Sequence, residues 1–402
     1  MSSVAVLSLH TSPLALPGVG DSGGMNVYVR ELAGSLGQAG LDVRVYVRRW
    51  DDDLPERVAV EPGVGVVPVA AGPAEVPKEL LPGRVAEFAD GVAADLARRP
   101  ADVLHANYWL SAVAGHELKH RLDLPLVSTF HTLARVKADA GDVEPQSRID
   151  AEAAVIGCCD VICASNTVES EQLVGLYGAD PTRLEIVPPG VDHAFFSPGD
   201  RGGARTALGL DDRPTVLFVG RVQPLKGLTV AVEALARLSD RSARLVVVGG
   251  PSGVDGADEW NRVQALVDGL GLRERTVFVE PQPHHMLSTY YRAADVVVVP
   301  SRSESFGLVA LEAAACGIPV VGAAVGGLRT LVEHGHTGYL VEDRDPTDFA
   351  MRIGEVLAQP ARAAAMGRAA AQLALGFSWS TTAARLRRLY ADVSSREPVR
   401  CP

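Results

Sequence analysis

Two successive series of short apolar runs, separated by stretches of helical period, constrain this chain more than any other feature. In the first half the runs fall at residues 4–9, 43–47, 103–105, 126–130, 161–164 and 185–187. Helical patterns at 27–39, 84–98 and 151–157 lie between most of them. In the second half, runs at 215–220, 245–248, 276–279, 296–300 and 319–322 repeat the scheme. Strands joined by crossover helices form parallel sheets covered on both faces. Residues 188–214, rich in Pro, Gly and Asp, read as a connector. The expected fold class is α/β, with two Rossmann-like doubly wound domains facing across a cleft, 1–197 and 198–378. A length of 402 residues suits two cores better than one. With 47% hydrophobic but only 5% aromatic residues, those cores should be Val, Ala and Leu.

Several function classes are disfavoured. No run of eighteen apolar residues occurs, so no membrane-spanning segment is expected. The N-terminal "MSSVAVLSLHTSP" lacks a basic n-region and reads as a strand rather than a signal peptide. Cys158, Cys159, Cys163, Cys316 and Cys401 are odd in number and sit mainly in apolar segments. Buried thiols in a reducing cytoplasm are expected, not a disulfide framework. A net charge of −11 argues against nucleic acid or anionic lipid as the main partner. It leaves room for a small anionic ligand in a local pocket of Arg and Lys.

Three motifs stand at expected strand ends, where open parallel sheets bind ligands. "GDSGGMNVYV" places Gly23 and Gly24 before a helix, so that backbone approaches a ligand closely. The spacing of Gly18, Gly20, Gly23 and Gly24 is not that of a dinucleotide fingerprint, and a plain loop ending in a helix cap fits equally well. "VGRVQPLKG" puts Arg221 and Lys226 between a strand end and a helix start, which makes a diphosphate clamp. "PSRSESFGLVALEAAACGIPVV" puts Glu304 in a loop and Glu312 eight residues on, among alanines of a helix that packs on a sheet. A carboxylate there needs partners, and sugar or ribose hydroxyls would supply them. The backbone N–H groups around Phe306, Gly307 and Leu308 would hold phosphate.

The Glu304-x7-Glu312 pair, with Arg221 and Lys226, resembles the retaining glycosyltransferases of the GT-B fold. That large family includes sucrose-phosphate synthases and phosphatidylinositol mannosyltransferases. "HTSPLALPGVGDSGGMNVYV", "GPAEVPKELLP", "HANYWLSA", "FHTLARVK" and "EPQSRIDAE" resemble its mycothiol-pathway branch more narrowly. That branch moves N-acetylglucosamine from UDP-GlcNAc to 1L-myo-inositol 1-phosphate. The resemblance implies an acceptor phosphate gripped by Lys78, Tyr108, Thr132 and Arg148, with Asn26 and the Met25 backbone on the inositol ring. It implies that His131 reaches the donor sugar, that Glu304 bonds donor hydroxyls and that Glu312 holds the ribose. Gly23, Gly24, Ser305, Phe306, Gly307 and Leu308 would line the diphosphate and sugar, and Gln282 would lie near the uracil. Arg221 and Lys226 would neutralise charge on the leaving UDP. It also implies that a final helix at 379–395 packs back on the first domain.

Three positions depart from the family pattern. Asn107 stands where His is typical, Ser303 where Asn is typical and Gln282 where Arg is typical. No Asp-x-Asp motif stands at a strand end, so no metal and no other cofactor is expected beyond the nucleotide-sugar donor. A phosphorylated polyol is the expected acceptor, a stable membrane association is not expected, and a homodimer is left open. The alternatives kept are a hexosyltransferase with another donor or acceptor, of sucrose-phosphate-synthase or natural-product type, a membrane-surface lipid mannosyltransferase, and a sugar-nucleotide-binding regulator.

Overall fold

The structure, a computed structural model, describes residues 2–16, 18 and 22–401. Gly20 and Asp21, part of the glycine loop singled out above, lie outside the described residues. The chain divides into two compact units. The first comprises Met1–Ala15, Met25–Pro189 and Trp379–Pro402, and the second comprises Leu16–Gly24 and Gly190–Ser378.

The first unit holds β1 (Ser3–Leu7), β2 (Asp42–Arg48), β3 (Val58–Glu61), β4 (Val64–Val69), β5 (Val103–Asn107), β6 (Leu126–Thr129), β7 (Val161–Ala164) and β8 (Leu184–Ile186). Their spatial order is β3-β4-β2-β1-β5-β6-β7-β8. Every pairing is parallel except β3 with β4. The second unit holds β9 (Thr215–Val219), β10 (Arg244–Val248), β11 (Thr276–Val279), β12 (Val296–Val299), β13 (Val320–Ala323) and β14 (Gly338–Val341). They lie in the order β11-β10-β9-β12-β13-β14, all parallel. Counted from β9, that is the doubly wound order 3-2-1-4-5-6. Strand order reverses between β1 and β5 in the first unit and between β9 and β12 in the second. Ligands of such sheets bind beyond the carboxyl ends of the strands at these switch points.

Burial explains why these segments became strands. All four valines of β12 are buried, as are all residues of β10 and β1, because helices cover both sheet faces. The last helix, Trp379–Val393, presents Trp379, Ala383, Leu386, Tyr390 and Val393 at helical spacing. That stripe packs against Val4, Val6, Tyr28 and Val43 of the first unit.

Some local structure departs from expectation. The β3–β4 hairpin was not anticipated, because Pro62-Gly63 at its turn and Pro68 inside β4 suppress a strand reading. β14 escaped for a similar reason, since it is short and opens on Gly338. The connector is not structureless. It contains the helix Arg201–Ala207, started by Asp200, whose carboxylate accepts from the amides of Gly202 and Gly203. Cys159, Cys163 and Cys316 are buried free thiols. Cys158 and Cys401 bring their sulfur atoms together, with Cα atoms 5.1 Å apart. Among the described residues no helix is long and apolar enough to cross a membrane.

Candidate active site

In the first unit the residues beyond the switch point gather around Tyr108, which follows β5. The Arg148 guanidinium lies 5.2 Å from the Tyr108 ring centroid, and the Lys78 ammonium 5.7 Å from it. Arg148 Nη2 donates to the Thr132 carbonyl at 3.3 Å and contacts Thr132 Oγ1 at 3.2 Å. Lys78, Tyr108, Thr132 and Arg148, from four separate segments, are thus brought together. Two cations and two hydroxyls in one place suit a dianion.

Arg148 is held from behind by two carboxylates that sequence reasoning passed over. Its Nε donates to Glu152 and its Nη1 to Glu144, each at 2.8 Å. Glu152 is wholly buried and also accepts from the Ala134 amide and the Tyr177 hydroxyl. The spacing of four residues either way along Glu144, Arg148 and Glu152 was the available signal. Nearby carboxylates keep Arg148 charged against its burial.

Both strand ends here carry strained backbone. Tyr108 has φ +74° and His131 has φ +62°, values that side chains other than Gly rarely adopt. His131 Nε2 lies 2.9 Å from Asn107 Oδ1, and its ring meets Tyr28 edge-on with centroids 4.7 Å apart. Burial, aided by His105, pushes the His131 pKa down to about 3. The imidazole is therefore neutral at pH 7, with the Asn107 carbonyl accepting from Nε2–H. Asn107, noted above only as a departure, fixes this ring. Asn26 Nδ2 donates to Thr11 Oγ1 and the Ser12 carbonyl, both at 2.5 Å, so its amide nitrogen shapes the loop after β1.

In the second unit Arg221 follows β9 and the loop 301–307 follows β12. A Cβ on Gly23 would come within 3.0 Å of Arg221 Nε, and one on Gly24 would touch Leu308 Cδ1 at 3.4 Å. The bare backbone of Gly23 lets the guanidinium lie close against it. Lys226 Nζ sits 2.7 Å from Glu304 Oε2, which Ser301 Oγ also reaches at 3.2 Å. The expected diphosphate cation and the expected sugar-binding carboxylate are therefore paired with each other. The Arg302 amide donates to the Leu225 carbonyl at 2.8 Å and ties their two loops together. Gly307, at φ +101°, turns the chain into the helix Leu308–Ala315. Gly327 donates to the Glu304 carbonyl at 2.9 Å, and a Cβ on Gly326 would sit 2.0 Å from that oxygen. This glycine pair, unnoticed in the sequence, sets the Glu304 loop. Ser305 and Phe306 complete it, with the Phe306 side chain buried.

Glu312 is buried, as expected, but finds its partners inside the protein. His284 Nε2 lies 2.7 Å from Oε1, and the Tyr291 hydroxyl donates to Oε2 at 2.7 Å. Burial and the adjacent carboxylate push the Tyr291 hydroxyl pKa far up. The partners that a buried carboxylate needs are thus supplied here by the protein itself. His284 packs on Phe196 with ring centroids 5.0 Å apart. Gln282 turns back on its own loop, with Nε2 donating to the Glu280 carbonyl at 3.0 Å.

Comparison with known proteins places these geometries in context. The family model described as glycosyl transferases group 1 matches residues 202–373, and that of glycosyltransferase family 4 matches 22–195. The chain is 46% identical to a D-inositol 3-phosphate glycosyltransferase of Acidothermus cellulolyticus, with 97% of this chain and 90% of that protein covered. It is 47% identical to one of Xylanimonas cellulosilytica, over 99% of this chain and 98% of that protein. Among solved structures, sucrose-phosphate synthase from Thermosynechococcus elongatus superposes with a TM-score of 0.93 at 32% identity, covering 98% of this chain and all of that one. HepE of Anabaena, solved with UDP and glucose, shares the fold at 20% identity and a TM-score of 0.80, over 98% of this chain and all of that one.

Proposed function

The chain belongs to the GT-B glycosyltransferases, in the family of the D-inositol 3-phosphate glycosyltransferases, and on that premise we propose that it moves N-acetylglucosamine from UDP-GlcNAc to 1L-myo-inositol 1-phosphate. The observation that carries the acceptor assignment is the cluster of Lys78, Thr132 and Arg148 around Tyr108. A neutral sugar has no use for two converging cations. A phosphate monoester does, and Glu144 and Glu152 keep the Arg148 fork aimed.

On the donor side Arg221 and Lys226 oppose the charge that grows on UDP as the glycosyl bond breaks. Entry of the diphosphate offers Lys226 a stronger anionic partner than Glu304, and Glu304 is then released toward donor hydroxyls. The helix that starts at Leu308 directs its amino-terminal dipole at the same charge. Glu312, fixed by His284 and Tyr291, presents its remaining acceptor capacity to the ribose. His131, neutral and oriented by Asn107, contacts the donor sugar without adding charge. Transfer proceeds with retention, the departing phosphate oxygen taking the acceptor's proton.

The acceptor half is tested by comparing 1L-myo-inositol 1-phosphate with free inositol in binding to wild type and Lys78→Gln. Wild type should favour the phosphate by at least about a hundredfold, the worth of two charge-assisted contacts. Lys78→Gln should lose about tenfold or more of that preference. Equal binding of the two ligands to wild type would remove the assignment.

A further inference from the structure

The first unit carries a second cluster of chemistry-bearing side chains that the transfer reaction does not use. His116 and His120 stand four residues apart on the helix Trp109–Leu122, so their imidazoles share one face, with ring centroids 4.9 Å apart. Cys158 ends the helix Gln146–Cys158, and Cys401 comes from the chain's last residues. Cys401 Sγ lies 3.1 Å from His120 Nε2 and 3.5 Å from His116 Nε2, and Cys158 Sγ lies 3.5 Å from His120 Nε2. One ligand atom from each of the four residues falls within 4.8 Å of every other. We propose that these four side chains form a structural zinc site that fastens the C-terminal tail to the first unit.

The chemistry matches the ion. Two thiolates and two imidazoles are the donor set of closed tetrahedral zinc sites. With Zn–S about 2.3 Å and Zn–N about 2.0 Å, a tetrahedron spaces sulfur and nitrogen about 3.6 Å apart, near the separations observed here. A cysteine pair joined for its own sake has no need of two imidazoles against its sulfurs. Binding is not a redox step: the two thiols give up two protons to solvent and the metal takes their place.

Neighbouring groups hold the segments that carry the ligands. Lys119 Nζ donates to the Cys158 carbonyl at 2.8 Å and pairs with Asp160 at 2.7 Å, which fixes the helix end that carries Cys158. Asp160 Oδ1 accepts from the Val399 amide at 2.6 Å, and this sets the tail so that Cys401 arrives two residues later. The site lies along the same helix as the Tyr108 cluster but roughly 12 Å or more from it, at 1.5 Å per residue. A metal here therefore fixes structure and takes no part in transfer. The histidine pair is announced by the H-E-x-x-H spelling of residues 116–120, but the two cysteines are not, since they lie 38 and 281 residues beyond His120.

The test uses the full-length protein purified without chelator under reducing conditions, with zinc measured by elemental analysis and thiols by titration. Wild type should hold about one zinc per chain, with two thiols that react only after chelation. Cys401→Ser and His120→Ala should each retain at least about tenfold less zinc after equal incubation, with transfer activity kept. Substitution by Co(II) should give a thiolate-to-cobalt charge-transfer band in wild type that Cys401→Ser lacks. A wild type that takes up no zinc, zinc content unchanged in both variants, or a Cys158–Cys401 disulfide that persists in reductant would each overturn the proposal.

Discussion

At the scale of single residues, the account rests on side chains whose orientation is set by neighbours outside the obvious motifs. Arg148 is the clearest. Replacing it with Met leaves Glu152 without its cation and Glu144 with Lys137 alone, and loss of one partner from a buried pair costs about 3–5 kcal/mol. Urea unfolding should show that loss. The double variant Arg148→Met with Glu152→Gln should recover part of the stability but none of the acceptor affinity. Recovery of both would mean that Arg148 serves the fold alone. Asn107 makes the complementary case. Asn107→Ala should lower kcat about tenfold through a misplaced His131 while acceptor KM stays within about twofold. A change confined to KM would contradict the positioning role. The cations and glycines of the site were legible in the sequence because their chemistry is local to a strand end. His284 and Tyr291 were not, because nothing in a linear pattern announces which buried polar group will face Glu312.

At the scale of elements, the last helix is bound to the first sheet by a buried polar contact set among apolar ones. His105 in β5 reaches the Tyr390 hydroxyl through Nδ1 at 2.5 Å and Thr129 Oγ1 through Nε2 at 2.9 Å. Burial pushes the His105 pKa down to about 3, against about 6.5 in an unfolded chain. Above pH 6.5 both states are neutral there, and the contribution of His105 to stability is complete. As pH falls below 6.5 the unfolded chain takes a proton that the folded one refuses. Stability then drops by up to about 1.4 kcal/mol per pH unit until His105 itself titrates near pH 3. His105→Gln should reduce the slope of unfolding free energy against pH between 6.5 and 4.5 by about that amount, and an unchanged slope would refute the assignment. Leu386→Ala on the same helix should cost about 3 kcal/mol, from a side chain with no exposed surface. The fully buried parallel strands were legible because burial on both faces demands continuous apolar runs. The β3–β4 hairpin and the helix Arg201–Ala207 were obscured by the Pro and Gly that shape their turns, and the cap at Asp200 was the signal passed over.

At the scale of the whole molecule, each unit repeats one solution: a doubly wound sheet whose switch point gathers charged side chains on loops. The first unit supplies two cations with hydroxyls, and the second supplies two cations with two carboxylates. That division of labour follows the chemistry of a transferase with two anionic ligands. The likeness to sucrose-phosphate synthase in structure, and to D-inositol 3-phosphate glycosyltransferases in sequence, makes ligand identity the point on which the account turns. Arg221→Ala should lower kcat about 10²- to 10³-fold whichever acceptor is used, since it acts on the leaving group, and a loss specific to one acceptor would argue against that role. The most direct measurement is a panel of UDP-GlcNAc, UDP-glucose and GDP-mannose against 1L-myo-inositol 1-phosphate, free inositol and fructose 6-phosphate, with product mass and anomeric configuration determined. The account predicts that UDP-GlcNAc with 1L-myo-inositol 1-phosphate gives the highest kcat/KM and an α-linked product. Preferred transfer from UDP-glucose to fructose 6-phosphate, or an inverted product, would contradict it.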